Sequence, residues 1–193
     1  MNLFLWGALP YIAFTFLIVG TLVRFFYFER NWTTKSSQFL EKKQLRIANP
    51  LFHFGLLCVI GGHVVGVLIP KTWTAAIGIN DHMYHQGALY MGAVAGLIFI
   101  VGFLLLMKRR FTVAELKVNT SGLDKWLYLF LTLAIFSGMA GTLLNASGFF
   151  DYRVSIGPWF RSLLSFMPDP SLMEGVPFMF KFHMLAWMVV AII

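Results

Sequence analysis

The chain has 193 residues, 59% of them hydrophobic and only 12% charged, with a net charge of +7. That is half the charge density of an average soluble domain, about 25%. It argues for lipid as the solvent, and for surplus Lys and Arg that anchor membrane loops instead of binding nucleic acid. A single cysteine, Cys58, rules out an internal disulfide.

A membrane-crossing helix needs about 20 mostly apolar residues. In chain order, residues 3–28, 50–69, 85–107 and 124–147 qualify, and a fifth run begins near Val176 and is still apolar at Ile193. The first run lacks a basic leading region and a small-residue cleavage site, so it is expected to be a retained helix and not a signal peptide. The expected fold is one all-α membrane domain over 1–193, a bundle of five transmembrane helices. Its fifth helix is expected to be truncated at the chain end and to continue, in a fuller chain, to a further histidine.

The connections between these runs orient the bundle. Arg24, Arg30, Lys35, Lys42, Lys43, Arg46, Lys108, Arg109, Arg110, Lys117 and Lys125 fall on one side, eleven of the fifteen basic residues. Lys71, Arg153, Arg161 and Lys181 fall on the other. The positive-inside rule then places the N-terminus outside and the 29–49 and 108–123 loops in the cytoplasm. The 148–175 connection, containing FDYRVSIGPWFRSLL, lies on the outer side and is amphipathic enough to lie along the interface or cap the bundle.

The second run, LFHFGLLCVIGGHVVGVLIP, carries His53 and His63 without any formally charged residue. Ionisable groups inside a membrane read as functional by default. His53 lies near the inner end of its helix, and His63 lies ten residues on, roughly 15 Å further out. His183, on the antiparallel fifth helix, falls at about the same depth as His63. Two neutral imidazoles opposed across a bundle suit the axial positions of a haem. Gly61, Gly62 and Gly66 flank His63 and leave room for a flat macrocycle, though small residues also serve close helix packing. Zinc fits less well, because its sites favour more cysteine, histidine and carboxylate ligands. His53 calls for a second haem, whose other ligand is not found in this chain.

FLWGALPYIAF, KSSQFLEKKQL, LFHFG, GGHVVGVLIP, LLLMKRRF, DYRVSIGPWFRSLL and GVPFMFKFH together resemble the gamma subunit of membrane-bound respiratory nitrate reductase. That family is a dihaem cytochrome b anchoring a molybdenum enzyme to a bacterial plasma membrane. The resemblance implies two haem b groups, the proximal one on His53 and the distal one between His63 and His183. It implies quinol, menaquinol or ubiquinol, oxidised near the outer face. Electrons would pass through both haems to an iron–sulfur beta subunit and a molybdenum alpha subunit. It makes Arg110 a candidate partner of a proximal haem propionate, while Lys181, two residues before His183, could snorkel to the outer surface or reach a distal propionate. It places the quinol site beside Gly62, Gly66 and the NDHMYHQGALY segment. There Tyr84 stands where a better-known relative has lysine, and His82, His85 and Gln86 are alternative hydroxyl partners. The plain reading of His82 and His85 is as exposed loop residues. Two other functions stay open: a related dihaem cytochrome serving another terminal reductase, in sulfur or heterodisulfide metabolism, and a haem-free proton-relaying transporter.

Overall fold

The computed structural model describes residues 2–27 and 41–193. Helix α1 spans Phe4–Tyr27, α2 Leu45–Leu68, α3 Lys71–Ala76, α4 Asp81–Thr112, α5 Ala114–Val118, α6 Gly122–Leu144, α7 Ile156–Leu164 and α8 Phe178–Ile192. Four of them, α1, α2, α4 and α6, are long and apolar enough to cross a membrane. At fifteen residues, α8 is apolar but shorter than the fifth span expected from the sequence. The expected end of the first helix at residue 28, and Arg30 and Lys35 after it, lie outside the described residues.

The helix ends follow local chemistry. Pro70 holds Ile69 extended at φ −80°, ψ 118° and so stops α2. Gly78, in the left-handed region at φ +84°, closes α3. Asn80 then caps α4, its side-chain oxygen accepting the Met83 N–H at 2.9 Å, with Asp81 in the first turn. This cap starts α4 four residues before the expected position, so His82, Tyr84 and His85 are helical and not loop residues. Ser121 and Asp124 form a reciprocal capping box for α6. At 32 residues, roughly 48 Å at 1.5 Å each, α4 exceeds a hydrocarbon core of about 30 Å. Both of its ends therefore reach polar surroundings.

Packing divides the long helices into two groups. Helix α2 lies tightly on α4 because glycines bring the backbones together. A Cβ at Gly55 would come within 2.5 Å of the Phe99 backbone, and one at Gly102 would strike that of Phe52. Helix α6 packs on α8, and α1 packs on α8 in turn, while α4 touches α6 less extensively. The cap end, where α2 finishes and α4 begins, is closed by α7. This helix buries Ile156, Trp159 and Leu163 against Trp6, Met173 and Val176. Pro10 lacks the N–H that would close on the carbonyl of Trp6, and the Trp159 indole N–H donates to that carbonyl at 2.8 Å. The 148–175 connection is thus a packed cap, with α7 as its amphipathic element.

Candidate functional site

His63 and His183 face each other between the two helix groups. Their ring centres are 5.9 Å apart and their planes differ by 24°. The rings are close to parallel and leave room between them for one metal ion at metal–imidazole bond lengths of about 2 Å. Among the described residues, no group of three or more His, Cys, Asp or Glu is arranged to hold a metal ion.

Each ring is held by one nitrogen. Nδ1 of His63 is 2.7 Å from the Val59 carbonyl, one turn back on the same helix. Nδ1 of His183 is 2.8 Å from the Ala134 carbonyl of α6 and 3.3 Å from Ser137 Oγ. A carbonyl can only accept, so the contacted nitrogen carries a proton, and in the neutral ring Nε2 keeps its lone pair. That is the tautomer a ligating imidazole needs, oriented by a backbone partner. His53 repeats the pattern, with Nδ1 2.9 Å from the Asn49 carbonyl. Its side chain and that of His63 are exposed, although both lie inside a membrane-length helix.

Small residues make the room. Gly61 and Gly62 border open space. Gly138 is different, since a Cβ there would lie 2.7 Å from Cε1 and 3.1 Å from Nδ1 of His183. The imidazole can rest on α6 only because that side chain is missing. Gly66 fronts neither space nor His63 but two tyrosines: a Cβ would approach the Tyr152 ring at 3.1 Å and the Tyr84 hydroxyl at 3.4 Å.

The other candidates scatter. Tyr84 stays near His63 through Gly66, its ring covered by the Arg153 guanidinium at 3.7 Å. His85 is drawn away, with Nε2 3.1 Å from the Ala146 carbonyl and its ring against Gly148. His82 is exposed on the first turn of α4, and Gln86 is half-buried on the next. Lys181 donates to the Glu174 carbonyl at 3.2 Å, on the connection before α8. At the basic end, Arg110 donates from Nε to Thr120 Oγ1 at 2.9 Å and from Nη2 to Asp124 at 3.3 Å. Arg109 is buried and bound to Glu41, from Nε to the carboxylate at 2.8 Å and from Nη2 to the carbonyl at 2.7 Å.

Sequence reasoning missed Ser137, Gly138, Tyr152 and Thr74, and gave Arg153 no role beyond orientation. A Ser-Gly pair inside the apolar run of α6 is the signal that would have pointed to the ring-bearing face. The 151–153 triplet has no periodicity to reveal that it folds back over α4. Burial, and secondarily the neighbouring Tyr84 hydroxyl, raise the Tyr152 phenol far above its ordinary range.

Fold and site together define an all-α, multi-pass membrane protein with two opposed imidazoles between its helix groups. The chain belongs to the nitrate reductase gamma subunit family, whose model matches residues 2–193. It is 46% identical over 190 residues to the nitrate reductase gamma chain of Bacillus subtilis, covering 98% of this chain and 85% of that one. The respiratory nitrate reductase 1 gamma chain of Escherichia coli is 27% identical over 190 residues, 97% of this chain and 84% of that one. The nitrate reductase-like protein NarX of Mycobacterium tuberculosis is 39% identical over 183 residues, covering 93% of this chain and 28% of NarX. Family membership and four membrane-length helices make this chain a multi-pass subunit of the nitrate reductase gamma type.

Proposed function

We propose that this subunit binds two b-type haems and oxidises membrane quinol at the cap end, delivering electrons to subunits docked at the basic end. The observation that carries the reading is the opposed pair of imidazoles at 5.9 Å, each with Nε2 left for a metal. His63 and His183 hold one haem, and His53 is a ligand of the second, about 15 Å toward the basic end. Haem supplies one-electron redox chemistry at these positions when bound.

The chain's own residues prepare that chemistry. The Val59, Ala134 and Asn49 carbonyls fix each ring's tautomer and direction. Gly138 allows His183 its position, and the open faces of Gly61 and Gly62 leave space beside His63. The α7 cap, with Trp159 and Leu163 buried, closes the bundle at the end nearest the pair. Quinol, losing two electrons and two protons, is bound beside Gly62, Gly66 and Tyr84, and its protons leave at the cap end, outside the cell. His85 is held by Ala146 and forms the outer rim of that region.

The basic end faces the cytoplasm of a bacterial cell and meets an iron–sulfur beta subunit, itself bound to a molybdenum alpha subunit. In this orientation the N-terminus is outside, and α8 belongs to the fifth span. Arg110 has five donors; two are engaged by Thr120 and Asp124, and the rest are available to a propionate of the second haem.

Visible spectroscopy of the purified, dithionite-reduced complex tests the reading. Two b-type α-bands are expected, one of them missing in His63→Ala. A folded complex with no haem absorbance overturns it.

A further inference from the structure

Among the described residues, two buried side-chain polar atoms have no hydrogen-bond partner, Nε of Arg153 and Oγ of Ser155. They lie two positions apart, between α6 and α7. Arg153 is only 4% exposed. Its Nη2 donates to Thr74 Oγ1 at 2.6 Å, and its guanidinium lies over the Tyr84 ring. The nearest carboxylate in sequence, Asp151, accepts from the Arg153 backbone N–H at 3.0 Å and pairs with Lys71 at 3.1 Å. The ion pairs of the described residues join Lys71 to Asp81 and Asp151, Arg109 to Glu41, and Arg110 to Asp124. A guanidinium does not deprotonate in proteins. Buried, it needs an anion, because a hydroxyl and a π face leave its charge uncompensated.

Position indicates where that anion comes from. The Tyr84 ring under Arg153 carries its hydroxyl to Gly66. Gly66 is three residues from His63, roughly 4.5 Å along the helix axis. Arg153 therefore lies on the cap side of the imidazole pair, about one turn beyond it. A haem held there carries two carboxylates on one edge, and charged groups turn toward the polar end of a bundle. Guanidinium–carboxylate pairs are short, charge-assisted and often bidentate.

We infer that Arg153 is the cation that receives a propionate carboxylate of the haem held by His63 and His183, with the Ser155 hydroxyl as a second donor. The inference rests on the two-haem reading proposed above. Arg153 acts there as a positioning and potential-setting residue. Reduction adds one negative charge to the site, and a nearby fixed cation favours the reduced state.

The test is a redox titration of Arg153→Gln in the complete membrane-bound complex, followed by visible absorbance. Both haems should remain. The haem that His63→Ala removes should be about tenfold harder to reduce, about 59 mV lower for one electron, while the other stays unmoved. Arg153→Lys keeps the charge and should lower the same potential by less. Unmoved potentials in Arg153→Gln at full haem content overturn the inference. So does a raised KM for quinol with both potentials unmoved, which would assign Arg153 to a quinol oxygen. If Arg153→Gln does not assemble, Arg153→Lys decides: a fall confined to that haem supports the inference, and no fall overturns it. A wild-type complex without haem bands fails the underlying reading before any variant is made.

Discussion

The two ends of this bundle hold a buried arginine in opposite ways, Arg109 at one and Arg153 at the other. At the basic end, Arg109 and Arg110 are matched by Glu41 and Asp124 from the same chain. At the cap end, Arg153 is more deeply buried than most charged groups tolerate, yet among the described residues its guanidinium meets a threonine, a tyrosine ring and no carboxylate. Arg109 is paired as folded. Arg153, beside the opposed histidines, is paired only when a propionate reaches it, on the inference drawn above. A buried charge left unpaired thus marks a site more clearly than a paired one.

The largest break in this comparison is His63→Ala. Haem should fall from two to one per subunit, and quinol-driven reduction of the remaining haem should stop while the helices still insert. Pyridine haemochrome analysis of the purified complex checks it, and two haems in the variant would remove His63 from the site.

Gly138→Ala comes next. The new Cβ would meet His183 at 2.7 Å, so the imidazole must shift off its Ala134 carbonyl. Quinol oxidation should fall by about tenfold or more, with a changed α-band, whereas Gly122→Ala, which meets nothing within 4 Å, should change neither. Equal behaviour of the two variants would mean that the close approach of His183 to α6 has no functional role.

A smaller effect is expected at the basic end on acidification. Glu41 is held below the ordinary carboxylate range, first by the Gln44 backbone N–H and then by Arg109. Because its folded value is depressed, its contribution is present above the unfolded value. It is lost as pH falls through the folded one, below pH 4.5. Hydrogen exchange of the last turns of α4 should therefore quicken only on that acid limb. Glu41→Gln should show fast exchange already at neutral pH. Slow neutral exchange in that variant would show that Arg109 does not need its partner.

Lys71→Ala should do least. Its ammonium bridges Asp81 at 2.8 Å and Asp151 at 3.1 Å, and hydrogen bonds to those carboxylates raise its pKa. The raised value means its contribution is complete below the unfolded lysine range and is lost only as pH climbs beyond it. The pair is more than a third exposed, so the cost should stay under about 1 kcal/mol. A melting curve of the detergent-solubilised complex at neutral pH measures it. A loss comparable to that of His63→Ala would make Lys71 the keystone of the cap.

Much of this was legible along the chain, because a membrane imposes one-dimensional rules. Length and apolarity marked α1, α2, α4 and α6. The depth of His63 and His183 followed from 1.5 Å per residue on antiparallel helices, and the rings do face each other. Hydropathy could not place caps to the residue, so Asn80 moved Tyr84 and His85 into a helix. Depth also carries no azimuth. Only the tertiary structure decided that Gly138 lies under His183, that Gly66 meets two tyrosines, that Glu41 answers Arg109, and that Arg153 folds back over Tyr84. The physical reason is that spacing along a helix sets height in the membrane, while contacts between helices depend on how glycine-lined backbones approach and how a polar connection packs across their ends.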